Sequence, residues 1–184
     1  MKPNLAALTI LLLSTITASA HADVADRSGF TLELGIGLAQ THLEPESGER
    51  RSELGLAPLS ISLGGFVSDR FAILGRAAGT SYFKDAGDET LQFTSGFYGL
   101  VGEYWFNDRL FTSAGVGLAT FGLNPLTNSK DYDPDTGLGF AFRAGYSFFT
   151  SQNHSLRASL ELFPSVFEDA TTVGTAATFE WQLF

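Results

Sequence analysis

Residues 138–148 read LGFAFRAGYSF, and this stretch decides the fold. Its even-numbered positions, from Leu138 to Phe148, are apolar, whereas its odd-numbered positions carry Gly, Ala, Arg and Ser. A side-chain period of two is that of a β-strand, because successive side chains of a strand point to opposite faces. The stretch therefore predicts a strand with one apolar face and one face of small or charged residues.

The same period recurs from residue 28 to the end of the chain. Residues 30–38 place Phe, Leu and Ile at even positions, and residues 156–162 place Leu and Ala at even positions. These stretches lack the 3.6-residue period of a helix. The pattern predicts eight strands, at residues 28–42, 54–67, 71–83, 92–106, 110–121, 137–149, 155–163 and 172–184.

The connections between the predicted strands alternate between long and short. The short turns at 68–70 and 107–109 read SDR and NDR, and their Asp and Asn side chains can bond their own backbone. Strict alternation is typical of an antiparallel up-and-down barrel in a membrane, which has loops at one end and tight turns at the other. The long connections are residues 43–53, 84–91, 122–136 and 164–171.

Seven charged residues fall inside the predicted strands: Glu33, Arg76, Glu103, Arg143, Arg157, Glu161 and Glu180. Each lies opposite the more apolar face of its strand, except that Arg76 shares its face with Ala72 and Leu74. The apolar face could point inward, as in a soluble lipocalin-like carrier, or outward to lipid. Seven charges over eight strands are few for a water-facing surface, which favours a membrane barrel. Because an Arg facing lipid costs about 2–4 kcal/mol near the bilayer centre, we expect the seven charges in its lumen. Small residues beside them would leave them room.

Aromatic residues cluster near both ends of the predicted strands. Tyr and Trp are enriched at the two interfaces of a membrane, so the clusters predict two girdles on the outer surface. One girdle comprises Tyr104, Trp105, Phe106, Tyr146, Phe148, Phe149 and Trp181, and the other comprises Tyr82, Phe93, Phe97 and Phe121.

Composition narrows the class of protein. The 184 residues include 20 Gly, 17 Phe and no Cys, and 17% are charged. Beyond the first 20 residues, no apolar run approaches the roughly 18 residues that a membrane helix needs. The charged fraction also excludes a disordered acidic chain.

The first segment reads as an export signal. A positive start, an apolar stretch and small residues predict a signal peptide at 1–22, cleaved after Ala20 or Ala22, and a barrel domain at 23–184. Cleavage after Ala22 leaves ten Lys and Arg against twenty Asp and Glu, a net charge of −10. That balance argues against nucleic acid as a partner.

The signal segment, the eight alternating strands, the hairpins around Asp69-Arg70 and Asp108-Arg109, and the terminal Phe184 resemble the small Gram-negative outer-membrane β-barrel family of the OmpA and OmpX type. This resemblance implies an all-β, eight-stranded antiparallel transmembrane barrel with short turns and termini in the periplasm and long loops outside. It also implies that an interior salt-bridge network plugs the lumen and that Phe184 belongs to the signal for the barrel-insertion machinery. Gln182 and Glu180 occupy positions that are usually apolar in that signal, so this sequence departs from the family pattern.

Other chemistries find little support in the sequence. Residues 131–135 read DYDPD like the start of a calcium loop, but Thr136 replaces the turn Gly and no Glu follows at the twelfth position. Of the two His that remain after signal removal, His42 has no nucleophile motif around it. His154 is next to Ser155, but adjacent residues on a strand point to opposite faces, and zinc would need more ligands. We therefore expect no enzyme activity, no metal and no cofactor.

The function expected from the sequence is that of a monomeric outer-membrane barrel serving envelope structure or surface interaction. Its long connections hold twelve acidic and four basic residues, so outer-membrane lipid and lipopolysaccharide are the expected partners. A narrow porin-like channel is the alternative. The remaining alternatives are a lipid A-modifying hydrolase and a soluble periplasmic carrier.

Overall fold

A computed structural model of the protein describes residues 27–45, 51–86, 89–125 and 134–184. Within those ranges it contains eight antiparallel strands, and pairing of the first with the last closes the sheet into a barrel. This confirms the predicted all-β antiparallel architecture. The described residues contain no helix long and apolar enough to cross a membrane. The strands are β1 (Gly29–Pro45), β2 (Arg51–Ser68), β3 (Phe71–Ala86), β4 (Glu89–Trp105), β5 (Leu110–Pro125), β6 (Asp135–Thr150), β7 (His154–Val166) and β8 (Ala170–Leu183).

The strands are longer than predicted, and two of the predicted long connections are wrong. Pairing of β3 with β4 continues to Ala86 and Glu89, within the predicted loop 84–91. Only residues 167–169 separate β7 from β8, where residues 164–171 were expected as a loop. Backbone pairing does not require alternating hydrophobicity, so a ladder can continue where the sequence pattern has ended. The predicted calcium-like start at 131–133 lies outside the described residues.

The two faces of the strands have the predicted polarity. Leu100 of β4, Val116 of β5 and Leu160 of β7 are at least half exposed on the outer wall. The inner wall buries charged, hydroxyl and small side chains, together with several aromatic rings. A soluble carrier with an apolar interior and a hydrated exterior would have the reverse arrangement.

The ambiguous strand β3 follows the same rule. Arg76, Ala72 and Leu74 are all buried inside the barrel, while Ile73 points outward and is 48% exposed. The interior therefore contains both charged and apolar side chains, which pack beside one another.

The two predicted aromatic girdles are partly wrong. Trp105, Phe97 and Tyr82 are buried in the interior, whereas Tyr104 and Phe106 lie on the outer wall as expected. The reason is strand parity, because Phe97 and Trp105 share the inward-facing odd positions of β4 with Glu103. Large rings at both ends of the barrel thus fill the lumen.

A row of three glycines makes room for one of these rings. Gly99 of β4 pairs with Gly117 of β5, which pairs with Gly139 of β6. A Cβ atom at Gly99 would lie 2.6 Å from the ring of Phe97, and one at Gly139 would lie 3.1 Å from it. At Gly117 an added Cβ would meet the Tyr98 carbonyl oxygen at 2.2 Å. The absence of side chains on three neighbouring strands therefore lets the Phe97 ring lie against the inner wall.

Candidate functional site

The candidate site is the set of charged side chains inside the barrel. The structure places all seven strand charges there, each at most 5% exposed: Glu33, Arg76, Glu103, Arg143, Arg157, Glu161 and Glu180. Because a charge out of water is costly unless it is paired, the contacts among these residues decide what the interior can do.

Four of these charged residues lie on β1, β3, β7 and β8, at positions that the strand register brings level with one another. Glu33 of β1 is the cross-strand partner of Ser62 on β2, and Ser62 is the partner of Arg76 on β3. Arg157 of β7 is opposite Glu180 of β8. Each of these positions faces inward, so their side chains converge on the lumen.

The remaining members lie in one row along β4–β7. Glu103 pairs with Ser113, Ser113 with Arg143, and Arg143 with Glu161. The row on β4–β7 faces the row on β1–β3 across the lumen. Contacts between the two rows therefore span the interior.

Arg143 reaches three carboxylates. Its Nη1 lies 3.0 Å from Oε2 of Glu33 and 2.9 Å from Oε1 of Glu180, and its Nη2 donates to Glu103. Its Nε donates to the hydroxyl of Ser113 at 3.2 Å. The bond to Glu33 crosses from β6 to β1, so Arg143 ties opposite walls together.

Arg157 contacts the same three Glu residues as Arg143. Its Nη2 lies 2.7 Å from Oε2 of Glu180 and 3.0 Å from Oε1 of Glu33, and its Nη1 lies 3.2 Å from Oε1 of Glu103. The guanidinium carbon is 4.2 Å from the centroid of the Phe111 ring, a cation–π distance. Carboxylates and an aromatic face thus surround a guanidinium that solvent does not reach.

Arg76 completes the network on the side away from the short turns. Its Nη2 donates to both carboxylate oxygens of Glu161 at 2.7 Å, and its Nη1 donates to Ser62 at 2.8 Å. Glu33 and Glu180 lie within 3.8 Å of the same guanidinium. Every Arg of the network therefore contacts at least two Glu residues, and the network fills the lumen at this level.

Neutral polar residues bond further atoms of the ion-paired side chains, whereas Nε of Arg157 has no hydrogen-bond partner among the described residues. Gln182 donates to Glu33 at 3.2 Å and accepts from Arg157 at 3.1 Å, and Thr178 donates to Glu161 at 3.0 Å. Gln182 was not among the predicted site residues, although it has the same parity as Glu180. Strand parity would have found it, because a large polar side chain on the inner wall needs partners there.

A further residue that sequence reasoning missed closes the short-turn end. Arg27 is 4% exposed, donates from Nη2 to the Asp108 carbonyl at 2.7 Å, and stacks 3.7 Å above the Trp105 ring centroid. Trp105 in turn donates from Nε1 to Glu103 at 2.9 Å. Burial lowers the pKa of Arg27, and Asp108 opposes that shift. Arg27 precedes β1, so no periodicity marks it in the sequence.

Arg27 also balances the charge of the interior. The strand charges alone are three Arg and four Glu. With Arg27, the buried charged residues of the described chain are four Arg and four Glu. A neutral total removes the cost of a net charge held away from water.

Phe184 follows the last residue of β8 and lies at the short-turn end. Its amide donates to the Asn153 carbonyl at 2.8 Å, and its ring centroid is 6.0 Å from that of Phe66. Phe184 has the parity of Gln182, so it does not continue the outer apolar face of β8.

The two His residues stand apart from the interior network. His42 pairs with Val173 across β1 and β8, and His154 Nδ1 lies 3.1 Å from Oγ of Ser151 at a short turn. Within the described ranges, no group of three or more His, Cys, Asp or Glu residues is placed to hold a metal ion.

The closed antiparallel barrel with a polar, charge-paired interior is the fold of small outer-membrane β-barrel proteins. The crystal structure of Ail, the attachment invasion locus protein of Yersinia pestis, in complex with the heparin analogue sucrose octasulfate, is similar with a TM-score of 0.57 at 14% identity. The similarity covers 84% of this chain and 99% of Ail. Neisserial surface protein A is similar with a TM-score of 0.54 at 17% identity, over 83% of this chain and 96% of that protein. No protein-family model and no curated protein matches the sequence.

Proposed function

We propose that the protein is a monomeric integral outer-membrane barrel with a closed interior. It serves envelope structure, or surface interaction through the acidic segments at the end opposite the short turns. Residues 1–22 act as the export signal and residues 23–184 as the barrel, and the insertion machinery reads a signal that includes Phe184. The short turns and both termini face the periplasm, and the other end meets lipopolysaccharide.

The observation that carries the proposal is the combination of an apolar outer wall with an interior whose buried Arg and Glu side chains form ion pairs. Exposed Leu160, Leu100 and Phe179 belong to an apolar belt on the outer wall, and such large exposed patches are rare on soluble monomers. Arg143, which bonds Glu33 across the lumen, belongs to the network that fills the space a channel would need. Eight strands leave an interior just wide enough for side chains.

Membrane insertion predicts heat-dependent mobility on a denaturing gel. An unheated sample from the outer-membrane fraction should migrate as a compact band and shift after boiling to the position of the unfolded mature chain, residues 23–184. The reason is that a closed ladder keeps its backbone hydrogen bonds in detergent until it is heated. Detergent extraction of separated inner and outer membranes provides the control. Recovery of the protein as a soluble periplasmic species would contradict the proposal.

A closed interior predicts that the protein does not conduct small ions. Planar bilayers containing the refolded protein should show no conductance steps above those of protein-free bilayers, because the Arg–Glu contacts leave no continuous path at their level. The porin-like alternative requires steps whose size changes when Arg143 or Glu103 is neutralised. Conductance steps that respond to those substitutions would overturn the closed interior while leaving the membrane location intact.

A further inference from the structure

The outer wall carries a groove of about 450 Å³ across β2 to β5. Gly79 of β3 and Gly96 of β4 are direct cross-strand partners, so the middle of the groove has no side chains. A Cβ atom at Gly96 would lie 2.7 Å from the Thr120 hydroxyl oxygen and 3.0 Å from the Tyr98 ring. The groove therefore exists because two neighbouring strands carry glycine at the same level.

A bulge in β2 borders the groove. Pairing with β1 passes from Gly35–Ser60 to Gly37–Ala57, so two residues of β2, Pro58 and Leu59, oppose one residue of β1. On its other side, β2 pairs with β3 at residues 56 and 61 with an irregular stretch between them. A proline suits a bulge because it has no amide hydrogen to pair. The regular ladder is thus interrupted alongside the groove.

The serine and threonine residues of the groove lie towards one end of the barrel axis. Towards the middle of the barrel its walls are apolar, with Leu59 and Ile61 on one side and Tyr98 on the other. Towards the end opposite the short turns, the outward positions Ser81 and Thr94 place hydroxyl groups in the groove, beside the apolar side chains of Leu56 and Phe83.

Partly used polar atoms line that outer end. Gln92 donates from Nε2 to the Ser81 hydroxyl at 3.0 Å, and within the described ranges the hydroxyl of Thr94 donates one long hydrogen bond, of 3.4 Å, to the Gly122 carbonyl. Thr120 adds a third hydroxyl at the neighbouring level. On a lipid-facing wall, polar atoms need hydrogen-bond partners that hydrocarbon cannot supply.

We propose that this groove binds one acyl chain of an outer-leaflet glycolipid of the lipid A type. The chain lies between Leu59 and Tyr98, and its ester or hydroxyl oxygens bond Ser81 and Thr94. The volume lies in the range of ligand sites, about 300–1,000 Å³. The oxygens of such a lipid lie nearer the membrane surface than its hydrocarbon, and Ser81 and Thr94 lie at that end of the groove. The inference rests on the proposed membrane placement, since a groove on the outer wall meets lipid only there.

Native mass spectrometry can test the proposal with lipid A as the probe. The full-length barrel would be reconstituted in phosphatidylglycerol nanodiscs containing lipid A and released at rising collision energy. The wild-type protein should retain one lipid A molecule after other lipids are stripped. The variant Ala77→Phe, which fills the groove, should retain it at least about tenfold less often. Ala177→Phe, the same change at an exposed outer position of β8, should behave as wild type.

A second variant separates filling of the groove from loss of its hydroxyls. The double substitution Ser81→Val and Thr94→Val should lower retention of lipid A relative to phosphatidylglycerol, and it keeps the test decisive if Ala77→Phe does not fold. Equal retention in wild type and in the groove variants would overturn the proposal, as would wild-type retention of phosphatidylglycerol in place of lipid A. If the wild-type barrel shows no heat-dependent mobility and does not enter nanodiscs, the proposed function itself fails, and this inference fails with it.

Discussion

Replacing Arg157 with Met is expected to lower the free energy of unfolding by about 3–5 kcal/mol. The guanidinium touches Glu33, Glu103 and Glu180, and it is 0% exposed. Its removal leaves a surplus of carboxylate charge in a space that water does not reach. Urea unfolding in phospholipid vesicles, followed by tryptophan fluorescence and gel mobility, would measure the change.

Two variants show whether charge pairing causes the loss. Arg70→Met, in an exposed turn, makes the same chemical change and should alter stability by no more than about 0.5 kcal/mol. Adding Glu103→Gln to Arg157→Met restores the neutral total of the interior and should recover part of the lost stability. A double variant that loses as much as the sum of the two single variants would show that the effect is one of packing alone.

A single methyl group at Gly117 is expected to prevent or severely weaken folding. The added Cβ would lie 2.2 Å from the Tyr98 carbonyl oxygen and 2.4 Å from Cα of Gly99. Both are backbone atoms of the adjacent strand, so the ladder between β4 and β5 would have to move. Overpacking of this kind costs about 1–3 kcal/mol where side chains can adjust, and more where they cannot. The measurement is the folded fraction on an unheated gel after refolding of Gly117→Ala into detergent.

Gly75→Ala provides the matched control. A Cβ atom at Gly75 would meet only the Leu63 carbonyl oxygen at 3.7 Å, an ordinary contact on the outer wall. This variant should fold as well as wild type, and the loss of chain entropy in its unfolded state favours it slightly. Equal folding of the two alanine variants would show that the close approach at Gly117 does not constrain the barrel.

Strand periodicity was sufficient to predict which way the seven charged side chains point. A strand position that faces inward, such as Glu33 or Arg143, has neighbours in sequence that face outward. Because a charge that faces lipid is costly, only the orientation that points the charged side chains inward is allowed. Periodicity could not show how the charges pair. Arg143 contacts Glu33 across the lumen, and that contact depends on the shear of the closed barrel.

Three other features were not predicted, and two of them leave a signal in the parity of the strand positions. Trp105 looks like a girdle residue by type, and only its odd position on β4 assigns it to the interior. Arg27 lies outside the strands, so its place beneath Trp105 follows from tertiary structure alone. The bulge at Pro58 is marked by a change of parity, because the outward apolar residues are Leu54 and Leu56 before it and Leu59 and Ile61 after it.

β3 and β4 extend into the predicted loop 84–91, and this extension affects how this end of the molecule can bind a partner. A strand needs about 9–11 residues to cross a bilayer, whereas β3 has 16 residues and β4 has 17. In a membrane the surplus would stand above the lipid as a paired ribbon whose backbone is already ordered. Recognition by a stiff ribbon costs less conformational entropy than recognition by a loop that must first be ordered. A partner that contacts this hairpin would therefore meet one fixed backbone shape.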